Sequence, residues 1–133
     1  MQDRPSYDEL LGAIETFLDR EIVPNVPGSR GFHARVAANA LRIVRRELEH
    51  RESQLLAEWQ GLDELLGGEE RPPTLEALAK SLDERNRRLA ERIRGGEADE
   101  GDFAERVRKH VTRTVAEKLR VSDPGLLERS ETA

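Results

Sequence analysis

Apolar residues in this chain of 133 residues recur at intervals of three and four between short clusters of proline and glycine. No segment alternates apolar with polar. The helical period without a two-residue period removes the sheet folds, and the fold class expected is all-α, a single-domain bundle of about five helices with short loops. "SYDELLGAIETFLDREIV" opens the first helix, with Ser6 as N-cap and Asp8 and Glu9 in a first turn that favours negative charge. Its stripe is Tyr7, Leu10, Leu11, Ile14, Phe17, Leu18 and Ile22. Pro24 stops it, and "PNVPGSRG" leads to a second helix over about 31–51. "SQLLAEWQGLDELLG" reads as a third, after at most a short break, ending near Gly67 and Gly68.

The prolines of "GGEERPP" make the next loop. Thr74 then caps a fourth helix with Leu75, Leu78, Leu82, Leu89 and Ile93 on one face. After "RGGEADEGD" a fifth runs over about 102–121 on Phe103, Val107, Val111, Val115 and Leu119. "SDPG" ends it. The helical domain is expected over 1–124, with 125–133 a loosely ordered C-terminal tail.

Composition narrows the classes of function. Aromatics are only 4% of the chain, so the core must come from Leu, Val, Ile and Ala. Cysteine is absent, which excludes disulfides, thiolate metal sites and cysteine nucleophiles. "MQDRPSYDELL" is acidic and has neither a basic n-region nor an apolar h-region, so no signal peptide is expected. No stretch approaches the roughly eighteen uncharged apolar residues of a membrane span. A net charge of −5 argues against nucleic acid as a partner. The address expected is cytoplasmic.

"FHARVAANALRIV", residues 32–44, sets polar residues in an apolar run. Asn39 shares a face with Val36 and Ile43, and Asn86 repeats the arrangement between Leu82 and Leu89. His110 lies three residues after Val107. His33 sits one turn before Ala37. These four either converge in a bundle interior, where helical proteins build their sites, or each has its own structural partner. The structural reading is favoured: Asn39 buried and hydrogen-bonded across helices, and His33 bracing the loop at the helix start.

No catalytic or metal motif is present. The three histidines share no ligand spacing, and no His-Glu-x-x-His or Glu-x-x-His pair occurs. No cofactor is called for. Arg42, Arg45, Arg46, Arg85, Arg87, Arg88, Arg92 and Arg94 would form a basic ridge if the second and fourth helices adjoin. Paired with Glu47, Glu49, Glu84 and Glu91 at three- and four-residue spacings, they are ordinary helix-surface charge, which is the favoured reading. Trp59, the only Trp, either packs on the core or anchors a protein contact.

The segments "MQDRPSYDELL", "FHARVAANAL", "LDERNRRLAERIRGGE" and "VAEKLRVSDP" carry a resemblance to a family of small bacterial all-helical proteins, a domain-of-unknown-function family, over nearly the whole chain to about Pro124. "FHARVAANAL" is the most specific of them. The resemblance implies genes beside aminoglycoside-phosphotransferase-like kinases and acyl-CoA-dehydrogenase-like proteins, and hence an accessory role in acyl or small-molecule metabolism. It makes His33, Arg35 and Asn39 the first residues to test. The tail after Pro124 departs from the family pattern.

Three functions follow. A non-catalytic accessory or interaction protein would bind a kinase-like or dehydrogenase-like partner through an exposed apolar patch, with Trp59 a candidate neighbour; a homodimer is also compatible with a short helical chain with so few aromatics. A small-ligand binder would hold an acyl or phosphorylated metabolite with His33, Arg35, Asn39 and Asn86 in a pocket. An enzyme would use His33 or His110 as general base. The order of preference is the order given, and a non-enzymatic role is favoured.

Overall fold

A computed structural model describes residues 4–131. Five α-helices and one π-helical turn occupy them, and no strand occurs among the described residues. The fold is all-α, as the apolar period requires. Helix α1, Tyr7–Phe17, begins with a capping box: Glu9 N–H donates to Ser6 Oγ at 3.2 Å, and Ser6 N–H donates back to Glu9 Oε2 at 2.8 Å. It continues into a π-turn, Leu18–Ile22, closed by Val23 N–H donating to Leu18 O at 2.8 Å.

Helix α2 runs unbroken over Ser29–Leu66. The break allowed near residue 52 does not occur, because "EHRESQ" offers neither glycine nor proline to end a helix. Helix α3, Leu75–Arg94, starts at Thr74, whose Oγ1 accepts from Ala77 N–H at 3.2 Å. Helix α4 spans Gly101–Ser122. The segment expected as a loose tail forms a short helix α5, Pro124–Glu131, up to the last described residue. Asp123 caps it, accepting from Leu126 N–H at 3.2 Å, with Pro124 at the first helical position. Residues 132–133 of that tail lie outside the described residues.

Contacts group the chain into two compact units, one ending at Glu49 and one beginning at His50. Helix α2 contributes its first stretch to one and the remainder to the other. The second unit has a real core: Trp59, Leu62, Leu65, Leu78, Leu82, Leu89 and Val107 are buried together, flanked by Leu55, Leu56 and Phe103. Trp59 therefore belongs to the core. Helix α4 buries Ala104, Val107, His110 and Val121, while Val111 and Val115 of its expected stripe are exposed.

The first unit is built differently. No residue of α1 is buried, and in this unit α2 buries only Gly31, Ala34 and Ala38. That buried line is about 150° around the helix from the expected face of Phe32, Val36, Asn39 and Ile43, at 3.6 residues per turn. No described helix is long and apolar enough to cross a membrane.

Candidate functional site

Helix α1 and the π-turn after it place Asp8, Glu15 and Asp19 along one side, at spacings of seven and four. Facing them, α2 presents Arg42 and Arg45, three apart and on one face. Arg45 Nε donates to Asp8 Oδ1 at 2.8 Å and its Nη1 to Glu15 Oε2 at 2.7 Å. Arg42 Nε donates to Glu15 Oε1 at 2.8 Å, and Arg42 Nη2 to Asp19. Asp8 meets the later arginine and Asp19 the earlier one, so the two helices run antiparallel. Gly12 fits the same seam: a β-carbon there would lie 3.4 Å from the Arg45 guanidinium carbon.

Arg45 holds the Asp8 carboxyl below its ordinary value, mainly through their hydrogen bond, and Asp8 and Glu15 raise Arg45. A lowered carboxylate supports the folded hairpin at neutral pH, and that support is lost as the pH falls through the carboxylate range. Carboxylates and guanidinia thus occupy the inner faces. Eight bulky apolar side chains are left exposed, while others such as Leu11, Leu18, Leu41 and Ile43 are partly buried. Tyr7, Leu10, Ile14 and Phe17 of α1 are 49–54% exposed, and Phe32, Val36, Val44 and Leu48 of α2 are 45–59% exposed.

The residues singled out in the sequence fall in different units. His33, Arg35 and Asn39 are all exposed on the first stretch of α2; the His33 ring stands 5.7 Å from that of Phe32. Asn39 is not the buried, cross-helix amide expected. In this first stretch the packed face of α2 is set by the ionic seam and two small alanines, while Phe32, Val36, Val44 and Leu48 stay exposed. Asn39→Ala should therefore change stability by less than about 0.5 kcal/mol, the range for surface substitutions, in urea unfolding. Asn86, in the second unit, is half-buried and donates to Glu58 Oε1 at 2.7 Å; Lys118 Nζ lies 3.8 Å from the same oxygen.

The arginines likewise fall in both units. Arg42 and Arg45 serve the hairpin. Arg85, Arg88 and Arg92 meet Asp63, Glu69 and Glu97, all within the second unit. Their acidic partners lie on other segments, not a turn away on the same helix. Among the described residues no group of three or more His, Asp or Glu side chains is arranged to hold a metal ion.

A second locus lies between α2 and α4, where Gly61, Glu64, Arg106, Lys109, His110 and Arg113 line an open cavity of about 280 Å³. A β-carbon at Gly61 would clash with His110 Nδ1 and lie 2.6 Å from Arg113 Nη2. The missing side chain is what lets His110 lie against α2. His110 is buried, and its Nδ1 has no hydrogen-bond partner.

Burial holds His110 below its ordinary value of 6.5; Arg113 pushes the same way with Lys118, while Glu58 and Glu64 oppose. The unfolded chain then takes up this proton first as the pH drops. Stability from His110 is full above about 6.5 and declines below it. The melting temperature should fall between pH 7 and 5.5, and by less in His110→Gln, as thermal unfolding across that range would record.

The hairpin surface escaped the sequence reading because both its stripes look like core-facing faces. The usable signal was the line of acids on one side of α1, matched by arginines on α2. A family model described as a domain of unknown function, DUF6285, matches residues 24–126. The match takes in α2, α3 and α4 and starts after α1. No curated protein and no solved structure matches the chain.

Proposed function

The chain belongs to the DUF6285 family, and we propose that it works as a non-catalytic interaction module that docks another protein on the apolar side of its first hairpin. The observation that carries this reading is α1 itself: no residue of it is buried, and four of its large apolar side chains are half exposed. Val44 and Leu48 of α2 are half exposed as well, and large apolar side chains gathered on an exposed helix face mark interaction surfaces.

The family resemblance supplies a partner class, a kinase-like or acyl-CoA-dehydrogenase-like protein served by an accessory domain. Capture from the host with the wild-type chain, beside Leu10→Asp, tests this. The reading expects a protein of one of those classes bound stoichiometrically by the wild type and lost by the variant. Identical recovery by both would refute it.

Small-ligand binding has one observation in its favour, the cavity beside His110. Its Arg106, Lys109 and Arg113 walls suit a small anion such as phosphate better than an acyl chain. A phosphate-dependent rise in melting temperature, absent in Arg113→Ala, would support it.

A further inference from the structure

We propose that the cavity between α2 and α4 holds the phosphate group of a small phosphomonoester, gripped by Lys109 and Arg113 with Arg106 at the rim. This rests on the small-anion reading above, which it deepens by naming the ligand class, and it is independent of the docking reading. The first argument is unanswered charge. Arg106, Lys109 and Arg113 share one face of α4 at spacings of three and four, where like charges repel. Arg106 has Asp102 one turn away, Nε to Oδ2 at 2.9 Å. Among the described residues neither Lys109 nor Arg113 has a carboxylate partner. Elsewhere in the same unit, Arg85, Arg88 and Arg92 end on carboxylates of other segments. Glu64 is the one acid lining the cavity and is exposed, so three cations stand against it.

The second argument is how the guanidinia are held. Arg106 Nη1 donates to Glu64 O at 2.9 Å and Arg113 Nη2 to Ala57 O at 3.2 Å. Backbone carbonyls of α2 thus fix both heads without neutralising them. Each keeps further N–H groups for a ligand, and a guanidinium fork suits phosphate oxygens.

His110 supplies an independent sign. It lines the cavity, is 6% exposed, and its Nδ1 is buried with no partner. A buried polar atom left so calls for a reason, and an anion in the cavity would give this ring a countercharge. Leu65 and Gly61 complete the lining without charge. The volume of about 280 Å³ lies just under the roughly 300–1,000 Å³ of sites for drug-sized molecules. That suits a phosphate carrying a few carbons better than a nucleotide.

Calorimetric titration of the full chain with inorganic phosphate and with glycerol phosphate, at constant ionic strength, tests this. Glycerol phosphate should bind more tightly than phosphate. Lys109→Gln with Arg113→Gln, both at exposed positions, should weaken it about tenfold or more. His110 is the local reporter, read from its ring proton resonances. Glu58 and Glu64 of α2 and Arg113 and Lys118 of α4 already act on that ring. A bound anion favours its charged form, so filling the site should move its titration to higher pH and leave His33 and His50 unmoved. Equal affinity for phosphate and glycerol phosphate would overturn the phosphomonoester assignment and leave the small-anion reading standing. Binding unchanged in the double variant, an unmoved His110, or no binding of either probe would remove both.

Discussion

Replacing Arg85 with alanine is expected to destabilise the protein by about 2–5 kcal/mol, the range for truncating a large side chain in a packed core. Arg85 is fully buried in the second unit. Its Nη1 donates to Asp63 Oδ1 at 2.6 Å and its Nη2 to Gly67 O at 2.7 Å. The guanidinium carbon lies 4.3 Å from the centre of the Trp59 ring. Alanine would leave a hole beside Trp59 and an unanswered carbonyl at the end of α2. Because Asp63 is a third exposed it can return to water, so most of the cost comes from the cavity and the lost hydrogen bonds. Arg85→Met, which keeps much of the volume and removes the charge, should cost clearly less. Asp63→Ala should cost more than Arg85→Met, since it leaves the buried cation without its carboxylate. Urea midpoints at unchanged slope give the ranking. An Arg85→Ala loss under about 1 kcal/mol would contradict this account of the core.

Gly61→Ala is expected to act against helix propensity. In a helix interior this change ordinarily stabilises by up to about 1 kcal/mol. Here the new methyl group would clash with His110 Nδ1, and overpacking of that kind costs about 1–3 kcal/mol. Arg113 is exposed and can swing aside; His110 is buried and cannot. The clash should win. In the double variant with His110→Ala the penalty of the glycine substitution should largely vanish, a coupling that a thermodynamic cycle reads directly. Additive losses would mean that the notch does not hold the two helices at this distance.

The helices were legible because their causes are local. Ser6 and Thr74 cap as their side chains suggest, and the prolines of "GGEERPP" break the chain where no N–H is available. Asp123-Pro124 both ends α4 and starts α5, where Asp123 accepts from Leu126 N–H. Burial was less legible, and α2 shows why. Its apolar residues spread over a wide arc, so periodicity alone favours the bulky side, Phe32 and Val36. The packed side carries Ala34, Ala38 and two arginines. What selects it is a set of carboxylates 23 to 37 positions earlier in the chain, a tertiary fact that no window of sequence contains. His110 was noticed for its place near the core stripe of α4. Its actual reason for being buried, the notch at Gly61, lies on another helix, and Gly61 looked like an ordinary interruption.

The docking reading turns on what holds α1 in place, and hydrogen exchange on its amides at two protein concentrations measures that most directly. If the apolar side of the hairpin is covered by another molecule, exchange along Tyr7–Phe17 should be slow at high concentration and accelerate on dilution. The core amides around Leu62 and Leu82 should change little. Protection of α1 that is strong and independent of concentration, together with an absence of captured partner, would mean that the hairpin is sufficient to itself and would contradict the account.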